Sequence, residues 1–139
     1  MPNLITLNIE KNYLGSFLAS SSSINVFQNL RSLMFLKMGD SFISHLPKDL
    51  IKYNILLKEL DISHNEIETL DLDIGSLTQL TYINCSSNKL TTLPKSFRDG
   101  LDRIVENTDE NLQNITINLS RNRILCTCEN LDCLEWCMN

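Results

Sequence analysis

The chain has 139 residues, of which 42% are hydrophobic and 21% are charged, a composition that is typical of a globular domain and excludes a disordered chain. Its net charge of −5 gives no general attraction to phosphate backbones, so nucleic acid is not favoured as a partner by charge. No run approaches the roughly 20 apolar residues that span a bilayer, and the N-terminus lacks the basic and apolar pattern of a signal peptide.

A recurring pattern runs along the chain. Five segments fit the frame L-x-x-L-x-L-x-x-N-x-L, in which x is any residue, and nineteen of their twenty apolar positions hold an apolar residue. With 42% hydrophobic residues, chance would fill about eight of the twenty positions, so the segments are true repeats. The five segments begin at Leu4, Leu33, Leu57, Leu80 and Asn114, and Asn114 is the one polar exception.

Each repeat is expected to contribute one short strand. Alternate residues of a strand face opposite sides, so Leu60 and Ile62 should point inward while Asp61 points outward. A set of amphipathic helices is the alternative, but its apolar stripe would fail at Asp61 and His64. We predict strands near residues 5–10, 34–39, 58–63, 81–86 and 115–120.

Stacked in parallel, these strands would build one apolar core that no single repeat could form. The pattern predicts an α/β solenoid: a leucine-rich repeat horseshoe arc with a short parallel concave sheet and an irregular convex side. Proline in the segments 43–50 and 90–97 suits that convex side, because it cannot donate to a central strand. Residues 20–23 and 98–114 are expected to form loops, with a helical turn at 101–105.

An asparagine follows the strand segment in four of the five repeats, at Asn12, Asn65, Asn88 and Asn122, and Ser41 holds this position in the other repeat. A side-chain amide both donates and accepts hydrogen bonds, so it can satisfy backbone groups of adjacent turns. A buried backbone group left unpaired costs about 1–3 kcal/mol. We expect the hydroxyl of Ser41 to satisfy fewer of these groups than an asparagine does.

The chain ends in a cysteine-rich segment with the spacing C-x-C-x4-C-x2-W-C. It resembles the start of the C-terminal cap of extracellular leucine-rich repeat proteins, whose pattern is N-x-x-x-C-x-C-x4-F-x-x-W. Toll-like receptors and their invertebrate relatives are the family that it resembles most. Cys133 stands where that family has phenylalanine. The candidate disulfide cysteines are Cys126, Cys128, Cys133 and Cys137.

In that family the C-x-C cysteines pair with cysteines further along the cap, whereas this chain ends at Asn139. The resemblance therefore implies repeats over residues 1–124 and the start of a truncated cap over residues 125–139. Two alternatives stay open. The four cysteines could pair with one another across very short loops, or their thiolates could bind zinc, although C-x-C is tighter than the usual zinc-binding spacing.

Three asparagines lie in glycosylation sequons of the form N-x-[ST], namely Asn84, Asn114 and Asn118. Chance alone would give a similar number, so they permit glycosylation without indicating it. Asn84 and Asn118 should also lie on the outward face of their strands, where a glycan would crowd the concave surface. Cys85 occupies an inward position of the frame and is expected to act as a small buried hydrophobic residue.

No arrangement of residues indicates catalysis. The two histidines have no Cys, Ser or carboxylate at a catalytic spacing, and the chain has no glycine-rich phosphate loop. We therefore expect no enzyme activity, no cofactor and no metal site. Function should lie on the concave face, where mixed polar and aromatic side chains suit recognition. The candidate ligand-binding residues are Phe35, Lys37, Lys58, Asp61, His64, Tyr82 and Asn84.

The resemblance to Toll-like receptors implies the ectodomain of an innate immune receptor that binds a protein or microbial ligand. It also implies signalling through a receptor homo- or heterodimer on the extracellular side of the plasma membrane. Membrane attachment of such a single-pass receptor would come from a segment downstream of this chain. The alternatives are a secreted or matrix adhesion protein without a signalling domain, and an intracellular repeat scaffold or zinc-bearing adaptor.

Overall fold

The computed structural model describes residues 3–20, 25–107, 114–125 and 135 of the chain. Its five strands have three residues each, at Thr6–Asn8 (β1), Phe35–Lys37 (β2), Glu59–Asp61 (β3), Tyr82–Asn84 (β4) and Thr116–Asn118 (β5). Two helices complete the described structure, at Leu14–Ser20 (α1) and Lys95–Glu106 (α2). Each strand lies within one of the five segments predicted from the sequence and is shorter than that segment.

The strands form one parallel sheet in chain order, β1 to β5. The register pairs the central residues of the repeat frame with one another along the whole sheet, so that Leu36 faces Leu60 and Leu60 faces Ile83. A parallel pair needs a long crossover connection, and here each repeat supplies one by passing over the convex side. The α/β solenoid predicted from the column pattern is confirmed.

The core lies behind the sheet and is built from the apolar columns of the frame. The apolar frame residues of the middle repeats are fully buried, as at Leu33, Leu36, Leu57, Leu60 and Ile83. In the first and last repeats the same columns are only partly buried, as at Leu7 and the equivalent Ile117. This gradient follows from stacking, because each inner repeat is covered on both sides and each outer repeat on one.

The convex side is more regular than the sequence indicated. Helix α2 covers residues 95–106, so the prediction of a loop from residue 98 was wrong over that stretch, and the single helical turn at 101–105 is part of a longer helix. Phe97, Leu101 and Ile104 are buried, and their spacing of four and three residues places them on one helix face. The short helix α1 likewise begins inside the predicted first repeat and buries Leu18.

The asparagines that follow the strands join each repeat to the one before it. Asn65 Oδ1 accepts hydrogen bonds from the backbone N–H groups of Ser41 and Ile43, both at 3.0 Å. Its Nδ2 donates to the carbonyl oxygens of Met38 and Ile62, also at 3.0 Å. The side chain therefore pairs backbone donors and acceptors of two repeats that are buried away from water.

The same connection recurs further along the chain. Asn88 Oδ1 accepts from Ile67 N–H at 3.1 Å, and Asn122 Oδ1 accepts from Leu90 N–H at 3.0 Å. The side chain of Asn12, in the first repeat, donates only to carbonyl oxygens of its own turn, while its backbone N–H donates to the Ser41 hydroxyl at 3.3 Å. The Ser41 hydroxyl donates to Gly39 O at 2.9 Å, and its two contacts with the preceding repeat are longer, at 3.4 Å to Ile9 O and 3.3 Å from the N–H of Asn12.

The residue before each of these positions has a left-handed backbone. Lys11, Asp40, His64, Ser87 and Arg121 all have φ between 52° and 57°. A residue other than glycine pays about 1–2 kcal/mol in this region, so the turn must be held by its surroundings. In the first four of these residues the backbone is held by a hydrogen bond. Each N–H donates to a carbonyl oxygen of the next repeat at 2.9–3.0 Å.

The buried centre of β3 gives a direct test of the stacking. Leu60→Ala removes a fully buried side chain in mid-stack and should lower the free energy of unfolding by about 2–5 kcal/mol. Ile55→Ala is the matched control, since Ile55 is 54% exposed and should change stability by less than about 0.5 kcal/mol. Urea unfolding followed by circular dichroism measures both, and equal stabilities of the two variants would show that the repeat register is wrong.

Candidate functional site

The outward side chains of the sheet form two rows across the concave face. The register places Phe35, Glu59 and Tyr82 side by side in the first row, with Thr6 and Thr116 at its ends. The second row begins at Asn8, ends at Asn118 and contains Lys37, Asp61 and Asn84 in its middle. These rows exist because parallel strands in register align equivalent residues of successive repeats.

The middle of the two rows encloses a shallow cavity of about 240 Å³. Its floor is formed by the strand centres Leu36 and Leu60. Its walls are Phe35, Lys37, Glu59, Asp61, Tyr82 and Asn84. Five of the seven residues proposed from the sequence therefore meet at one place.

Two of the proposed residues do not line the cavity. Lys58 precedes β3 and His64 follows it, so they lie at opposite ends of the same strand segment. His64 has the left-handed backbone of the turn, and its N–H donates to Ser86 O at 2.9 Å. Glu59 is the wall residue that was not selected from the sequence. Its outward position in the repeat frame, equivalent to Phe35 and Tyr82, could have identified it.

Hydrogen bonds hold the second row in place. Asp61 accepts from the hydroxyl of Ser63 at 2.6 Å and from the N–H of the same residue at 2.9 Å. Asn84 repeats this arrangement with Ser86 and also donates to Asp61 Oδ2 at 3.0 Å. Asn118 accepts from the N–H of Ser120 at 3.0 Å. These bonds fix the orientation of the Asp61 and Asn84 side chains in the wall of the cavity.

This row also gives two of the sequons a structural role. Asn84 and Asn118 each accept a hydrogen bond from the backbone N–H of the serine two residues later. Asp61 accepts the equivalent bond from Ser63 in the repeat before Asn84. Such a local turn favours an Asx residue whether or not a glycan is attached. Asn84 is half-buried, whereas Asn114, the third sequon asparagine, is exposed.

The charged side chains of the cavity differ in whether they already have partners within the protein. Lys37 and Glu59 are exposed, and neither forms an ion pair with any described residue. The carboxylate of Asp61 is occupied by three hydrogen bonds. A cation and an anion beside two aromatic rings can bind a ligand that carries both polar and apolar groups.

No group of three or more metal-ligating side chains occurs among the described residues. The described part of the chain also has no helix that is long and apolar enough to span a bilayer. The four candidate disulfide cysteines, Cys126, Cys128, Cys133 and Cys137, lie outside the described residues.

Comparison with known proteins supports the repeat assignment. A family model described as leucine-rich repeats, in two copies, matches residues 55–99. The chain is 31% identical over 136 residues to Toll-like receptor 4 of Pinctada imbricata and 26% identical over 136 residues to CD180 antigen of Mus musculus. It is also 34% identical over 124 residues to oligodendrocyte-myelin glycoprotein of Mus musculus.

These alignments cover 98%, 98% and 82% of the chain but only 15%, 19% and 26% of the respective relatives. Among solved structures, human 5T4 (Wnt-activated inhibitory factor 1, trophoblast glycoprotein) matches with a TM-score of 0.69. That match covers 98% of this chain and 58% of 5T4 at 18% identity, so it shows the fold alone. The predicted resemblance to Toll-like receptors is confirmed.

Cys85 follows the wall residue Asn84 in the chain and is fully buried, which allows a test by pH. Burial raises the pKa of its thiol from 9.0 to about 12, and the nearby carboxylate of Asp61 acts in the same direction. Because the pKa is raised in the folded state, the resulting stability is complete below pH 9 and is lost as the pH rises towards 12. We expect the free energy of unfolding, relative to Cys85→Val, to fall by about 1.4 kcal/mol per pH unit in that window. A difference that is constant with pH would contradict this environment for Cys85.

Proposed function

We propose that this chain, a stretch of leucine-rich repeats related to Toll-like receptor 4 and CD180 antigen, is a ligand-binding part of a Toll-like innate immune receptor. The cavity on the concave sheet is the observation that carries the proposal. It lies in the middle of the stack, where both neighbouring repeats support the strands. The chain itself is a binding module.

The chemistry of the cavity favours a ligand with mixed character. The side chains of Phe35 and Tyr82 stand on either side of Glu59 in one row, and Lys37 lies in the next row beside Asp61. Aromatic side chains supply much of the energy of recognition, while unpaired charges supply orientation and specificity. A protein surface or a microbial glycoconjugate offers this combination, and we propose these two classes as partners.

The further properties of a Toll-like receptor are part of the same proposal. We propose that the repeats lie on the extracellular side of the plasma membrane and that ligand binding brings two receptor chains together. Membrane attachment and signalling would then reside in other parts of the full-length protein. Sequencing the transcript tests this directly: a membrane-spanning segment followed by a cytoplasmic signalling domain supports the receptor, and a coding region without them contradicts it.

An adhesion protein without a signalling domain is the second candidate. The identity of 34% over 124 residues to oligodendrocyte-myelin glycoprotein favours it, because that alignment has the highest identity of the three relatives. The same concave surface would then bind a protein of a neighbouring cell or of the matrix.

The modifications of an extracellular protein complete the proposal. We propose Asn114 as the first glycosylation site to examine, since it is exposed and lies before β5, outside the concave rows. Glycans on Asn84 or Asn118 would project into the concave face. Disulfide formation by the four C-terminal cysteines belongs to the same proposal, and mass spectrometry of the secreted chain before and after reduction tests it.

The role of the cavity can be tested with paired aromatic variants. Immobilised lipopolysaccharide, lipoteichoic acid and peptidoglycan fragments serve as probes, and biolayer interferometry measures the Kd of the 139-residue chain. Tyr82→Ala should raise the Kd of any bound probe at least about tenfold, which is the effect of losing an aromatic hot spot. Tyr13→Ala removes a tyrosine that is 81% exposed outside the cavity and should leave the Kd unchanged. Equal effects of the two variants would contradict binding at the cavity.

A further inference from the structure

A second concave feature lies on the flank of the solenoid, away from the sheet surface. It is a groove of about 370 Å³ between two neighbouring repeats. The groove is formed by the turns that precede β2 and β3, so it opens beside the N-terminal ends of the strands. Its lining residues are Gln28, Asn29, Arg31, Tyr53, Ile55 and Leu56.

The lining exposes more apolar surface than a solvated turn requires. Three of the four residues 53–56 are large, apolar and exposed. The exposed fractions of Tyr53, Ile55 and Leu56 are 51%, 54% and 39%. The intervening Asn54 is fully buried. Clusters of exposed large apolar side chains mark interaction sites on soluble domains, whereas single exposed ones do not. Here three such side chains share one groove.

The groove is held open by the buried amide of Asn54. Its Nδ2 donates to Phe27 O at 3.0 Å and to Leu30 O at 2.9 Å. These bonds tie the turn before β3 to the turn before β2, and the two turns form the opposite walls. Binding therefore requires little ordering of the backbone, which favours affinity.

Charge decides which partner fits. Arg31 is the one charged residue of the lining, and within the described part of the chain it forms no ion pair. Elsewhere on the described surface, Lys48, Lys52, Lys89 and Lys95 each meet a carboxylate, whereas Lys37 in the concave cavity, like Arg31, does not. In a chain of net charge −5, an unpaired guanidinium in an apolar groove is complementary to a carboxylate.

We propose that this flank groove binds a protein segment that presents an aliphatic or aromatic side chain next to a carboxylate. The apolar side chain lies against Tyr53, Ile55 and Leu56, and the carboxylate accepts hydrogen bonds from the Arg31 guanidinium. Tyrosine and arginine are among the residue types most enriched at the energetic centres of protein interfaces, and the groove contains both. None of the residues that line this groove also lines the concave cavity.

Nuclear magnetic resonance of the isotope-labelled 139-residue chain tests the proposal with two synthetic peptides. The probe is acetyl-Leu-Asp-Leu-Asp-Leu-amide, and the neutral control is acetyl-Leu-Asn-Leu-Asn-Leu-amide. The acidic peptide should shift the amide signals of residues 28–31 and 53–56, and it should bind at least fivefold more tightly than the neutral one. The difference should shrink as salt is raised, because salt screens the exposed pair.

Matched variants locate the binding on the protein. Arg31→Gln should weaken the acidic peptide at least fivefold and leave the neutral peptide unchanged, while Arg123→Gln, at an exposed arginine outside the groove, should change neither. Ile55→Ala should weaken both peptides, whereas Val105→Ala, which truncates a side chain that is 56% exposed on α2, should weaken neither. Because all four side chains are exposed, melting curves should be the same for all variants.

Three outcomes would overturn the proposal. One is the absence of signal shifts at peptide concentrations up to about 10 mM, the range in which weak fragments bind. Another is equal binding of the acidic and neutral peptides. The third is binding that shifts the concave strands and responds to Tyr82→Ala in place of Arg31→Gln, which would assign the peptides to the cavity.

Discussion

The turn that follows each strand imposes the constraint on which the rest of this structure depends. There the chain must leave a three-residue strand while its backbone groups remain buried, and a buried group without a partner costs about 1–3 kcal/mol. Asn65 resolves this at one position by accepting from two backbone N–H groups and donating to carbonyl oxygens of two repeats. The left-handed residue before it is held by a bond to the next repeat. Each inner turn is thus joined both backward and forward along the stack.

The geometry of the concave face follows from these turns. Because they fix the end of every strand, the strands pair in register and equivalent outward residues form straight rows. Asp61 and Asn84 are held in their row by the serines two residues later and by a bond to each other. Phe35 and Tyr82 then meet Glu59 and Lys37 around one cavity. The surface available for recognition is therefore a consequence of how the repeats are joined.

The sequence predicted the repeated parts of the fold well, because the same physical requirement recurs in each copy. Every repeat needs an apolar residue at its strand centre, such as Leu60, and nearly every one has a hydrogen-bonding asparagine at its turn, such as Asn65. The same residue types therefore recur at the same spacing. Only a helical turn at 101–105 was predicted of helix α2, and its full extent was missed because it lies in a convex segment that lengthens one repeat alone. Glu59 shares its frame position with Phe35 and Tyr82, but it was not selected because an outward position by itself indicates exposure alone. The flank groove depends on contacts between two turns 24 residues apart, such as Asn54 with Leu30, for which no sequence pattern exists.

The claim that buried asparagines join the repeats is tested most directly by the stability of Asn65→Ala compared with Asn12→Ala. The first substitution leaves the buried N–H groups of Ser41 and Ile43 without an acceptor, whereas the second removes bonds within one exposed turn. Urea unfolding should show a loss of at least about 2 kcal/mol for Asn65→Ala and less than about 1 kcal/mol for Asn12→Ala. Equal losses for the two variants would contradict the account, because the asparagine would then act only within its own turn.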